Sequence, residues 1–205
     1  MKTQNNISVF LVDDNEMFLK ALESYLSEQY KSEIQIKSFY TGEDCLKAIQ
    51  QYPKPKVDAV ILDYHLDTES GTAMNGIEIL KKIKEIDTGI IVIMLSFEDK
   101  LKIATESIRA GAYEYVVKSE TAFIRIKNSL KNSLEKELNS KILKITMTIL
   151  EKHPELYSYI EEMPITIPNE TNPEMSLKHL KAYYDSLESI LNNYLLERPT
   201  PVLSS

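Results

Sequence analysis

The hydrophobic positions of the first 118 residues fall into two alternating patterns. Largely apolar runs stand at Ile7 to Val12, broken only by Ser8, at Val57 to Leu62, broken only by Asp58, and at Ile90 to Leu95, with more mixed ones at Glu33 to Phe39 and Tyr113 to Val117. Between them apolar residues return every three or four positions, as in Met17, Phe18, Ala21, Leu22, Tyr25 and Leu26, or in Ile77, Ile79, Leu80 and Ile83. The runs predict buried strands and the three-to-four spacing predicts amphipathic helices. Helices are expected over Asn15 to Gln29, Thr41 to Gln51, Gly76 to Ile86 and Glu98 to Ala110. Asp14 or Asn15 caps the first, Thr41 the second, and Gly111 ends the fourth. Five strands alternating with helices, each crossover long enough to hold one, predict a parallel three-layer α/β sheet.

From Ser119 the strand pattern stops. Phe123, Ile126, Leu130, Leu134, Leu138, Ile142, Ile145 and Ile149 recur at a mean spacing of about 3.7, with no Gly or Pro before His153-Pro154. One long helix, or two broken near Asn139-Ser140, would give that pattern. A short helix from Pro154 to Glu162, an extended stretch from Met163 to Pro168 and a polar loop follow. Asn172-Pro173 then reads as the start of a last helix. Leu177, Leu180, Tyr184, Leu187, Leu191 and Tyr194 make a heptad-like stripe on it, suited to a coiled coil or to packing on the preceding helices. The boundary between the two parts is expected at 130/131, and Thr200 to Ser205 is expected to be a frayed tail.

Composition narrows the function classes. The net charge of −7 is spread over both parts: 14 Lys/Arg against 19 Asp/Glu in residues 1–118, and 10 against 12 in residues 119–205. Neither part carries the basic footprint of a nucleic-acid binder. The apolar runs are far shorter than the ~20 residues a membrane helix needs. The run at Ile7 lacks the flanks of a signal peptide, and Cys45 is the lone cysteine, so the chain reads as cytoplasmic.

The chemistry stands just past the strand ends. Asp13 and Asp14 follow the first strand, Asp63 the third, Ser96 the fourth and Lys118 the fifth. In a parallel sheet these positions share the carboxyl edge, where open α/β sheets bind ligands. Alone, an aspartate pair opening a helix is an ordinary cap, and a lone lysine a surface charge. Together they are not so easily explained. Two carboxylates about 4 Å apart repel by roughly 4 kcal/mol at an effective dielectric of 20, so three call for a cation. Mg²⁺ suits such a site, and Asp63 could then act as a carboxylate nucleophile toward a phosphoryl group, with Lys118 and Ser96 on its oxygens.

In these residues the chain resembles the receiver domain of two-component response regulators. The acidic pair Asp13-Asp14, the acceptor Asp63, Ser96, Tyr115 three residues before the lysine, and Lys118 stand in the family's order, over roughly residues 5–130. The resemblance implies a flavodoxin-like sheet of order 2-1-3-4-5, followed here by an all-α extension. It implies Mg²⁺ held by Asp13, Asp14, Asp63 and the backbone carbonyl of His65, with Asp13 acting through water. It implies a phosphohistidine donor on a sensor histidine kinase, and a switch in which Ser96 moves toward the phosphoryl group with Tyr115 turning inward behind it. Such a protein catalyses only its own phosphorylation and dephosphorylation.

Departures from the family pattern fall around the acceptor. The loop from Asp67 to Asn75 is longer than usual and lacks the proline, Phe97 replaces a small residue, and Ser119 replaces a frequent proline after Lys118. His65 and Glu98 occupy the two positions that tune phosphoryl lifetime. The long loop and Phe97 predict restricted access to Asp63. For the extension, the expectation is homodimerisation or docking of a downstream protein. The alternative is a transcription regulator with a divergent DNA-binding helical region. An aspartate-based phosphohydrolase fits worse, because its Asp-x-Asp would lie on one strand.

Overall fold

The computed structural model describes residues 6–53, 55–66, 74–161 and 177–197. It divides into two compact units, the first comprising Asn6–Leu134 and the second beginning at Glu135. In the first unit β1 (Ile7–Val12), β2 (Ile34–Phe39), β3 (Ala59–Asp63), β4 (Ile91–Ser96) and β5 (Glu114–Val117) form one parallel sheet of order β2-β1-β3-β4-β5. The helices α1 (Glu16–Tyr30), α2 (Gly42–Gln50), α3 (Gly76–Ile86) and α4 (Leu101–Arg109) fill the crossovers. This is the flavodoxin-like doubly wound arrangement.

Every residue of β3 and β4 is buried, as their unbroken apolar runs require. Alternation sends Val60, Leu62, Val92 and Met94 to one face, where they pack with Cys45, Ile49, Ile79, Leu80 and Ile83 of α2 and α3. On the α1 side, the Tyr30 hydroxyl donates to the Lys127 carbonyl at 2.7 Å, fastening α1 to α5 (Ala122–Lys152). Local chemistry sets the helix starts. Asn15 and Thr41 accept from the backbone N–H groups of Phe18 and Asp44, at 3.0 and 3.2 Å. Asn75 and Glu78 form a reciprocal capping box at the start of α3. Gly111 ends α4 with φ of 103°, a conformation that favours glycine.

Two expectations need correction. Met17 stands outside the core, 84% exposed, because it falls in the first turn of α1 on the solvent side. The fourth helix begins at Leu101 rather than at Glu98, with no side-chain cap from Lys100. Residues 98–100 are instead occupied with contacts around the strand ends, described below.

Helix α5 begins in the first unit at Ala122 and runs unbroken through Asn139-Ser140 to Lys152 in the second, 31 residues in all. A 3-10 turn at Pro154–Leu156, α6 (Tyr157–Glu161) and α7 (Leu177–Glu197) follow. Ile149, Leu156, Ile160 and Leu187 form its core, with Ile142, Ile145, Leu191 and Tyr194 packed on them. The stripe on α7 is therefore used at least in part against helices of its own chain. The His153 and Tyr194 rings meet edge-on at 5.2 Å, and the Tyr194 hydroxyl donates to Glu155. The expected extended stretch from Met163, the Asn172-Pro173 start and the tail lie outside the described residues. Among the described residues no helix is long and apolar enough to cross a membrane.

Candidate functional site

The sheet register assembles the site. Val12 pairs with Leu62, Asp63 with Leu95 and Ser96 with Val117, so Asp13, Asp63, Ser96 and Lys118 arrive at one edge. Ladder hydrogen bonds continue just past the strands and fix the backbone there. Asp13 N–H donates to Phe39 O at 3.1 Å, Tyr64 N–H to Leu95 O at 2.8 Å and Lys118 N–H to Ser96 O at 2.7 Å. Gly76 closes the floor. A Cβ at that position would lie 2.4 Å from Asp63 O and 2.7 Å from Tyr64 Cα, so glycine lets α3 approach the acceptor strand.

Lys118 Nζ lies 2.6 Å from Asp13 Oδ2 and 2.8 Å from Asp63 Oδ2, with all three side chains at most 2% exposed. Asp13 Oδ2, Asp63 Oδ1 and Lys118 Nζ are buried without a hydrogen-bond partner. Ion pairing to Lys118 draws the two carboxylates together, and Asp13 Oδ1 also accepts from the Asn15 N–H at 3.0 Å. Carboxylate oxygens of Asp13, Asp14 and Asp63 all lie within 4.8 Å of one another, with Asp14 on the exposed side.

One ammonium cannot offset two buried carboxylates. Burial pushes the Asp63 carboxyl from 3.8 up to about 6, the Lys118 charge working against the rise and the Asp13 charge adding to it. Burial likewise raises Asp13, opposed by Lys118. Desolvation wins at both carboxyls, and the site is short of positive charge near neutral pH. An all-oxygen donor set with buried oxygens lacking partners fits a hard divalent cation.

Around this centre, Ser96 is fully buried and its Oγ accepts from the Glu98 N–H at 3.1 Å. Tyr115 is half-buried against the core, and its hydroxyl donates to the Glu98 carbonyl at 2.5 Å. The Glu98 carboxylate pairs with Lys100 at 2.5 Å and stands 3.4 Å from His65 Nε2. His65 and Glu98 thus meet beside the site, and Lys100, which carried no sequence motif, joins them. Phe97 is 63% exposed. Its ring centroid is 4.6 Å from Lys118 Nζ, as is that of Phe18, a residue whose helical spacing marked it only as core. Most of the long loop, residues 67–73, lies outside the described residues. From its far end the Met74 N–H donates to Glu43 at 2.9 Å.

A doubly wound parallel sheet with buried aspartates, a serine and a lysine gathered on its carboxyl edge defines a receiver-type domain. The model of the response regulator receiver domain matches residues 9–131, and the chain belongs to that family. It is similar to the response regulator protein VraR of Staphylococcus epidermidis, 28% identical over 163 residues that span 78% of this chain and 73% of that protein. It is also similar to the chemotaxis protein CheY of Halobacterium salinarum, 29% identical over 113 residues, covering 54% of this chain and 82% of the relative. Among solved structures, a chain of the CheX-CheY-BeF3-Mg²⁺ complex from Borrelia burgdorferi aligns with a TM-score of 0.52 and 25% identity, covering 62% of this chain and 87% of that one. Family and relatives together place the chain among two-component response regulators.

Proposed function

We propose that Asp63 is the acceptor of a phosphoryl group from a phosphohistidine on a sensor histidine kinase. The observation that carries this is Asp63 itself, a buried carboxylate with Lys118 Nζ 2.8 Å from one oxygen and the other lacking a hydrogen-bond partner. In the transfer an Asp63 oxygen forms the new P–O bond as the P–N bond breaks, and the imidazole leaves with the electron pair. The lysine ammonium sits where equatorial phosphoryl oxygens gather negative charge, and the Ser96 hydroxyl is placed to donate to one of them afterwards. Dephosphorylation is attack of water on phosphorus, releasing inorganic phosphate and restoring the carboxylate. The chain would catalyse only these two reactions on itself.

Asp13, Asp14, Asp63 and the His65 carbonyl would hold Mg²⁺, with Asp13 acting through water. When bound, the ion neutralises the carboxylates and the transferring oxygens. The charge deficit at Asp13 and Asp63 supports this, as does the Mg²⁺ named in the Borrelia complex. We take the output to be a change in protein contacts, either self-association or docking of a downstream protein through the helical unit. Exposed Ile108 and Tyr113 beside Tyr115 belong to the face that would respond.

Labelling with acetyl phosphate and Mg²⁺ tests the acceptor. Incorporation is expected in the parent and lost in Asp63→Asn; full incorporation in that variant refutes the assignment. Light scattering of the full chain with and without beryllofluoride tests the output, and unchanged mass and partner binding would count against it.

A further inference from the structure

Lys118 is held by more than carboxylates. Its ammonium lies over two aromatic rings, 4.6 Å from the centroid of Phe18 and 4.6 Å from that of Phe97. Both distances are within the ~6 Å over which a cation is drawn to a ring face. Phe18 is braced in turn, meeting Phe123 edge-on at 5.4 Å, and Phe123 lies against Tyr25 at 5.6 Å. Phe97, by contrast, leaves 63% of its surface to solvent in the turn after β4. Burial of its own surface is therefore not what holds that ring in place, whereas the cation beneath it supplies a reason.

We propose that Phe18 and Phe97 clasp the Lys118 ammonium and act as positioning residues for phosphoryl transfer. The positioning role rests on Asp63 being the acceptor. The carboxylate hold on the lysine is electrostatic and shared, and it alters whenever Asp13 or Asp63 takes another charged partner. Ring faces neither ionise nor bind a hard cation, so their hold persists through the step. A lysine side chain has four flexible carbons, and without a fixed seat its ammonium spreads over several positions. Loss of one face at a partly desolvated site should thin the productive position by about threefold to thirtyfold.

Phosphorylation of the full chain by acetyl phosphate with Mg²⁺, followed over donor concentration, separates this role from simple bulk. Phe97→Leu keeps an apolar side chain but has no π face, whereas Phe97→Tyr keeps the face. The expected result is a maximal rate at least threefold lower in Phe97→Leu with the half-saturating concentration unchanged, and a rate near the parent's in Phe97→Tyr. Phe18→Leu should behave like Phe97→Leu, and neither should add a loss in a Lys118→Met background. If Phe97 merely narrows the cleft, Phe97→Leu will match or exceed the parent, and the positioning role is overturned.

A second readout needs no donor and no Mg²⁺. The Lys118 ε-methylene proton signals should be shifted upfield by ring currents in the parent, remain so in Phe97→Tyr and move back toward the ordinary lysine position in Phe97→Leu. Unshifted signals in the parent overturn the clasp itself. A parent with shifted signals but no label at Asp63 would instead overturn the acceptor reading, and the positioning role with it, while leaving the clasp in place.

Discussion

Asp63→Asn gives a direct measure of the charge deficit at the strand ends. In protein kept free of divalent cations, the Asp63 carboxyl is raised from 3.8 to about 6, chiefly by burial. A carboxyl whose folded value lies above its unfolded value favours the native state while protonated. Its contribution is fully present below 3.8 and is lost as pH rises through about 6. At 1.36 kcal/mol per pH unit the loss is ~3 kcal/mol, an upper figure for so tightly coupled a cluster. The amide never ionises and has almost the same shape. Urea unfolding in EDTA should therefore find Asp63→Asn more stable than the parent, by about 1 kcal/mol at pH 4.5 and about 3 kcal/mol at pH 7.5. Mg²⁺ should narrow the gap by stabilising the parent selectively. A variant no more stable than the parent at pH 7.5, or a difference independent of pH, would refute the conclusion that desolvation outweighs Lys118 at this carboxyl.

Three further substitutions probe the same edge. Lys118→Met leaves two buried carboxylates without their ammonium and should cost about 3–5 kcal/mol in urea unfolding at pH 7.5 without metal, and less near pH 5, where Asp63 takes up a proton. Gly76→Ala sets a methyl against the backbone of Asp63 and Tyr64, neither of which can swing aside. It should cost about 2 kcal/mol or more and slow acetyl phosphate labelling, whereas Gly89→Ala, whose Cβ meets only Asp87 Oδ1 at 3.2 Å, should change labelling little. Tyr115→Phe deletes the hydroxyl that bonds Glu98 O and should lower the unfolding free energy by about 1 kcal/mol while Asp63 is still labelled. Abolished labelling would mean that Tyr115 takes part in the transfer itself.

The sheet was legible in the sequence because its central strands are buried on both faces and its helices on one. Short apolar runs then alternate with segments of period 3.6 in the residue pattern, and chain order with crossover length leaves few topologies. The convergence of Asp13, Asp63, Ser96 and Lys118 was legible for the same reason, since a parallel register delivers every strand end to one edge. What the pattern could not carry was side-chain direction within an element. Phe18 and Met17 are adjacent apolar residues at one helix start, yet one faces the site lysine and the other is 84% exposed. Lys100 was invisible because its pair with Glu98, two residues away, forms where the chain is not yet helical, and the helical period put that start at Glu98 rather than at Leu101. In the second part, the absence of Gly and Pro allowed either one long helix or two broken near Asn139-Ser140, and the structure shows one, α5. Whether the stripe on α7 faced its own chain could not follow from spacing, because a heptad seam and an intramolecular core share the same periodicity.

The contacts around Asp63 bear on how far phosphorylation alone could drive a switch. Moving a two-state domain from 1:99 to 99:1 takes ~5.5 kcal/mol. A charge-assisted hydrogen bond contributes about 1.5–3 kcal/mol, so new bonds from both Ser96 and Lys118 would about suffice if neither were already engaged. In the structure Lys118 is already paired with carboxylates and the Ser96 oxygen already accepts a hydrogen bond. Lys118 is within 2.8 Å of the acceptor and 2.6 Å of Asp13, so turning it toward a phosphoryl oxygen exchanges one anionic partner for another rather than adding one. Ser96 Oγ accepts from Glu98 N–H, and moving the serine would strain or break that bond even as its O–H gains an acceptor. Tyr115 is likewise already tied to Glu98 O. The net gain then approaches that of one strong bond, about 3 kcal/mol at most, or roughly a hundredfold. A domain starting at 1:99 would reach only about half occupancy of the active form. Completion would have to come from binding energy elsewhere, through self-association or a docked partner that prefers that form. If the proposed output runs through the helical unit, that unit is part of the energetics of the switch, and the extent of activation depends on the concentration of whatever binds it.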